Sequence, residues 1–151
     1  MTADPIRIFI DERPIAALLT NLMERGADLS VPFLRIAGVM EDAVAENFEQ
    51  EGRPERWTRL DDKTIEARRK QGVGGIKKLQ DTGRLAASIT STHDALSATM
   101  GTNTIYAAIH HFGGQAGRGR KVTIPARPFL QLADDDREEV IDILARHLTH
   151  G

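Results

Sequence analysis

Apolar positions recur with two different periods along the chain, and the switches between them mark its elements. Ile6, Ile8 and Ile10 alternate with Arg7 and Phe9, the period of a short β-strand. Ile15, Leu18, Leu19, Leu22 and Met23 then share one helical face. Asp11 offers an oxygen to cap that helix, Pro14 suits its first turn and Gly26 stops it. A second, longer helix is predicted from Ser30 as cap, with Pro32 in the first turn. Its stripe is Phe33, Ile36, Ala37, Met40, Val44 and Phe48, opposed by Glu41, Asp42, Glu46 and Glu49 and closed by Gly52 and Pro54.

The stretch 52–80 breaks this pattern. It has few apolar anchors, many charges and the glycines Gly72, Gly74 and Gly75. Trp57 and Leu60 are its docking residues, and Asp61 or Asp62 caps a short helix through Arg69. Beyond Asp81, residues 82–87 read as a short helix or turn. Ser88–Thr92 and Leu96–Thr102 read as strands about the turn His93-Asp94-Ala95. Thr104 is a cap for a short helix through Phe112, ended by Gly113 and Gly114. Residues 115–121 read as a glycine- and arginine-rich loop, and 121–124 as a strand stopped by Pro125. Asp134, Asp135 and Asp136 suit the positive end of a last helix, with Val140, Ile141, Leu144 and Leu148 on its buried face.

The sum is an α+β fold: a small antiparallel sheet with about four helices packed on it. The length fits a single domain, 1–151, with flexible segments around 52–80 and 113–121. Hydrophobic residues at 40% and charged residues at 28% are a globular mixture. The chain has no cysteine, which removes disulfides, thiol catalysis and thiolate metal sites. No apolar run reaches the ~18 residues of a membrane span, so no membrane partner is expected, and the N-terminus does not read as a signal peptide.

Charge changes the picture more. The net charge is −2, but residues 1–52 hold 4 basic and 10 acidic side chains, residues 53–133 hold 14 and 6, and residues 134–151 hold 2 and 6. A basic middle between acidic ends fits a nucleic-acid contact, or complementary surfaces that meet when copies of the chain assemble.

Candidate chemistry is thin. Among His93, His110, His111, His147 and His150 there is no metal-ligand pair at helical spacing; adjacent His110 and His111 diverge by about 100° on a helix. The expected arrangement is a polar helix face with one histidine hydrogen-bonded near the core. Ser30, Ser88, Ser91 and Ser97 lie in no nucleophile elbow. The glycines at 72–75 lack the spacing of a phosphate loop. No catalytic residue, cofactor or metal is assigned. Arg118, Arg120, Lys121 and Arg127 remain as possible partner or DNA contacts.

Three blocks in order carry a resemblance. They are "TGxLxxSI" at Thr82–Ile89, "GTNxxYAxIHxFGG" from Gly101 to Gly114, and "IPARPFL" at Ile124–Leu130. Trp57-Thr58-Arg59-Leu60 and Thr64 through Lys70 add a tryptophan-containing connection. Together these resemble the phage virion morphogenesis, or tail-completion, family of contractile-tailed phages, including Mu-like prophages. The resemblance implies a non-enzymatic virion protein of tail-terminator or neck-protein type. Such a protein would act as a ring, a hexamer being the expected form, to end tail growth and permit head–tail joining. It implies as partners further copies of itself, tail-tube proteins and neck or head-completion proteins, with DNA passing through the ring. It implies the host cytoplasm during assembly, then the virion.

The motif residues also have structural readings. Gly83 and Gly101 suit tight backbone; Tyr106 and Phe112 would pack the short helix on the sheet. Pro125 and Pro128 enforce an extended path that Ile124, Phe129 and Leu130 would anchor. Arg127 is either a salt-bridge partner within the subunit or a contact to a neighbour.

Overall fold

The computed structural model describes residues 13–71, 84–104 and 106–150. The predicted strand at Ile6–Ile10, the Asp11 cap, the glycine turn at 72–75 and Gly83 lie outside them. The described elements are α1 (Arg13–Glu24), α2 (Ser30–Glu49), α3 (Asp62–Gln71), α4 (Arg84–Ala87), β1 (Thr90–His93), β2 (Ala98–Gly101), α5 (Ala107–Phe112), β3 (Gly114–Ala116), β4 (Val122–Ile124) and α6 (Asp134–His150). The fold is α+β. Its described strands form two antiparallel hairpins, β1–β2 and β3–β4, instead of one sheet.

The chain forms two compact units, each built from interleaved segments. Of the described residues, the first contains 44–71, 84–89, 101–104 and 106–131, the second 13–43, 90–100 and 132–150. α2 runs through both, passing from one to the other at Ala43–Val44.

The second unit is a helical core. Leu22, Leu29, Phe33, Ile36, Val39, Val140 and Leu144 are buried together, with Ile15, Leu18, Leu19 and Leu148 packed against them. α1 packs on α6. Met23, assigned by periodicity to the buried face, is 60% exposed. It lies about 80° from Ile15 around the helix, at the edge of the stripe. The start of α2 is held by Asp28, whose carboxylate accepts from the Ser30 amide at 3.0 Å and the Ser30 hydroxyl at 2.7 Å. These bonds pull the Asp28 carboxyl below the usual carboxylate range. The cap is therefore two residues upstream of the predicted one, and Ser30 is its donor. At the start of α6, Asp136 accepts the Ala133 amide at 2.8 Å. In the β1–β2 turn, Asp94 accepts from the amides of Leu96 and Ser97, at 2.7 and 2.8 Å. Ser91 of β1 donates to the Glu41 carboxylate of α2.

The first unit is held by aromatic contacts and side-chain-to-backbone bonds. Phe48 meets the Trp57 ring edge-on, centroids 5.7 Å apart, and Phe129 at 5.6 Å. Asp61 caps α3 by accepting the Lys63 amide at 2.8 Å. The Ser88 hydroxyl donates to Leu85 O and shares a 2.7 Å bond with buried Thr102, whose hydroxyl accepts the Thr104 amide. Thr104, the predicted cap of α5, is thus occupied upstream, and Tyr106 takes the cap position without a side-chain bond.

Candidate functional site

The segment after β4 lies outside any sheet, with Arg127, Phe129 and Leu130 buried. Pro125 and Pro128 remove two amides and exclude helix, so its remaining polar groups need other partners. Side chains supply five of them. Trp57 Nε1 donates to Pro128 O at 3.0 Å. Asn47 Nδ2 donates to both Phe129 O and Gln131 O at 2.8 Å. His111 Nδ1 accepts the amides of Phe129 and Leu130 at 3.3 and 3.4 Å. The Arg127 amide bonds His110 O at 2.9 Å.

A second layer orients these partners. Asn47 Oδ1 accepts Arg53 Nε at 2.9 Å, which fixes which end of the amide faces the carbonyls. Arg53, 8% exposed, also pairs with Glu46 at 3.0 Å, and its carbonyl accepts Gln131 Nε2. Arg127 is 7% exposed; its guanidinium donates to Thr58 O, through Nε at 3.1 Å and Nη2 at 2.9 Å, and to Arg59 O. It ties the Trp57 connection to the proline segment. A groove of about 440 Å³ lies beside this anchor, lined by residues 53–58 and by Ala126, Pro128 and Gln131.

Of the predicted anchors, Phe129 is fully buried and Leu130 is 7% exposed. Phe112 is not an anchor: it is 62% exposed, and Tyr106 is 38% exposed with its ring edge-on to His110. The inward position on α5 belongs to His111, because the extended segment needs an acceptor there. Its ring also meets Phe129 edge-on, centroids 5.2 Å apart. This is the core histidine expected from the sequence. Asn47 and Arg53 were not expected. Gly101 closes β2.

Two other glycines carry the tight geometry. Gly52 has φ +118°, and a Cβ there would lie 2.5 Å from Glu55 O and Trp57 N. Gly113 has φ +75°, with Ala126 N at 2.8 Å from such a Cβ. Gly52→Ala and Gly113→Ala should each cost about 1–3 kcal/mol through strain, before any clash is relieved. Urea midpoints of the two variants against Gly38→Ala, where a Cβ meets nothing within 4 Å, check this; equal midpoints would refute it.

Accepting two amides requires a neutral His111 ring with an unprotonated Nδ1. Burial pushes its pKa below the ordinary 6.5. His110 is pushed the same way, by burial first and then by the Arg127 charge. The folded state therefore binds fewer protons than the unfolded chain below pH ~6.5. Stability is complete above that pH and is lost as pH falls toward the folded values, at up to about 1.4 kcal/mol per pH unit for each group. Asp28 and Asp94 act lower, because their depressed values withdraw stability only below the ordinary 3.8. Denaturation midpoints from pH 7 to 5 should fall, less so in His111→Gln; a flat profile would contradict the geometry.

The basic residues singled out by sequence separate into two environments. Arg127 is buried as described. Arg118, Arg120 and Lys121 are exposed at the tip of the β3–β4 hairpin, which replaces the loop the sequence predicts over 115–121. Gly114, Gln115 and Ala116 pair antiparallel with Ile124, Thr123 and Val122. A 3₁₀ turn at Arg118–Arg120 joins the strands. Among the described residues no three histidine, aspartate or glutamate side chains gather as a metal site, and no helix is long and apolar enough to cross a membrane.

This is an α+β protein whose most elaborate polar network serves its own backbone. The chain belongs to the phage virion morphogenesis family, whose model matches residues 10–149. It is 48% identical over 128 residues to the Mu-like prophage FluMu G protein 2 of Haemophilus influenzae, covering 82% of this chain and 84% of that one. It is 28% identical over 150 residues to the putative capsid assembly protein G of Escherichia phage Mu, covering 95% and 94%. The FluMu G protein 1 of the same Haemophilus strain is 30% identical over 118 residues, 76% of each chain. No solved structure matches the chain significantly. Membership supports a structural assembly role in a phage.

Proposed function

We propose that this protein completes the phage tail and makes it competent to join the head, working as a ring of copies at the tail end or head–tail junction. The family match across nearly the whole chain carries this reading. The site is in keeping with it: the buried polar side chains hold one extended segment rigid, while charge and apolar surface are left exposed on the hairpin. The work is done by contact, with no bond made or broken. The protein would meet its tail-tube and neck partners in the host cytoplasm and leave with the virion.

A second reading comes from the relative described as a putative capsid assembly protein. Electron microscopy of a Mu-like phage lacking this protein separates the two. Complete heads beside unjoined tails, or tails of faulty length, support tail completion. Aberrant or missing heads would move the role to the capsid, and normal infectious particles would remove both.

A third reading, a small DNA-binding module, draws on the exposure of Arg118, Arg120 and Lys121. It requires duplex binding whose affinity falls with salt by a log–log slope of about −0.9 per phosphate contacted. It also requires that Ala at those three positions abolish binding.

A further inference from the structure

The β3–β4 hairpin is two strands of three residues, too small to be stable without further packing. At its tip Arg118, Arg120 and Lys121 are exposed, and among the described residues none has an acidic partner. Val122 on the hairpin is 53% exposed, and Phe112 just before it 62%. An opposite surface lies on α6 of the other unit. Asp135, Glu138, Glu139 and Asp142 fall at i, i+3, i+4 and i+7, on one face of the helix, and all are exposed. None of the four has a cationic partner among the described residues, and like charges at this spacing repel. Among the described residues, two surfaces of opposite sign are thus left without partners.

We propose that the hairpin of one copy docks on this acidic stripe of a second copy, Val122 and Phe112 adding apolar contact beside the ion pairs. This rests on the reading of the protein as a self-assembling subunit and names the surfaces that would join. A net charge of −2 and a pI near 6.2 favour a protein partner over nucleic acid, whose binders carry a strongly basic balance. The two surfaces differ, so the contact is head-to-tail, the kind that closes into rings when its rotation permits.

The absence of native cysteine gives a clean test. Full-length Val122→Cys and Glu139→Cys chains are mixed under mild oxidation, so each chain carries one thiol and any cross-link joins two copies. The mixed dimer should form about tenfold faster than either homodimer at low salt and lose that advantage at high salt. Equal rates for all three species, dominant homodimers, or no dimer at any concentration would overturn the proposal.

Charge reversal adds a control for misfolding. In the Val122→Cys chain, Arg118→Glu, Arg120→Glu and Lys121→Glu should abolish cross-linking. A partner chain carrying Asp135→Lys, Glu138→Lys and Asp142→Lys beside its Glu139→Cys should restore it. Failure of the restored pair, or salt-sensitive retention of duplex DNA with no mixed dimer, refutes the contact. Reversed chains that lose the cross-link yet still complement head–tail joining overturn this surface and leave the tail reading standing. Failure of the unaltered chain to complement overturns the tail reading separately.

Discussion

Asn47→Ala should lower the free energy of unfolding by about 3–5 kcal/mol, at the upper end of single-substitution effects. Asn47 is fully buried, and its amide serves three partners at once: the carbonyls of Phe129 and Gln131 and Nε of Arg53. Removing it leaves two carbonyls and part of a guanidinium short of a bond where water has little access. Each such group costs about 1–3 kcal/mol, with incomplete additivity among neighbours. Asn47→Asp should be no milder, because it would face two carbonyl oxygens with a carboxylate oxygen in place of an N–H donor. Glu46→Gln is the contrasting control. It weakens the Glu46–Arg53 pair, but Glu46 is 57% exposed, so the loss should stay under about 1 kcal/mol. Urea midpoints at constant m-value order the three; an Asn47→Ala midpoint no lower than that of Glu46→Gln would mean the amide is not what holds the segment.

Periodicity made the helical core legible. The stripes of α2 and α6 are long enough for spacing to find most of the buried face: Val140 and Leu144 lie where the pattern puts them, while Ile141 is only half-buried and Ile143 packs against the core in its place. Strand β3 was not legible. Gly114-Gln115-Ala116 has no strand-forming residue, and it is a strand because Val122–Ile124 returns alongside it. The cap of α2 was misplaced for a related reason. Asp28 and Ser30 both have cap chemistry, and only the path of the turn decides which one accepts.

The anchored segment was half legible. Two prolines exclude helix locally, so an extended path at 125–128 follows from the sequence. Its partners do not, since Asn47 is 82 residues from Phe129 and Trp57 is 71 from Pro128. One signal was available. Asn47 falls at i+3 from Val44 and i+7 from Met40, on the apolar stripe of α2, where a polar side chain needs a buried partner. His111 offered less, because only its partner distinguishes it from His110.

Phe129→Ala should cost about 3–5 kcal/mol and sit at the high end of that range. Its ring is fully buried between Phe48 and His111, centroids at 5.6 and 5.2 Å. What decides the cost of a truncation is how far the surroundings can collapse into the space left. Here the backbone of the residue is pinned on both sides, its amide by His111 and its carbonyl by Asn47. The proline on its N-terminal side limits the path further. The cavity should therefore stay open instead of closing. Phe129→Leu, which keeps most of the volume, should cost clearly less than Phe129→Ala. The pinning has its own signature: in an Asn47→Ala background the carbonyl is released, the segment can settle into the space, and Phe129→Ala should cost less than it does alone. Stability measurements on the two single variants and the double variant give that coupling directly. Strict additivity would mean that the polar clamp and the aromatic core act independently.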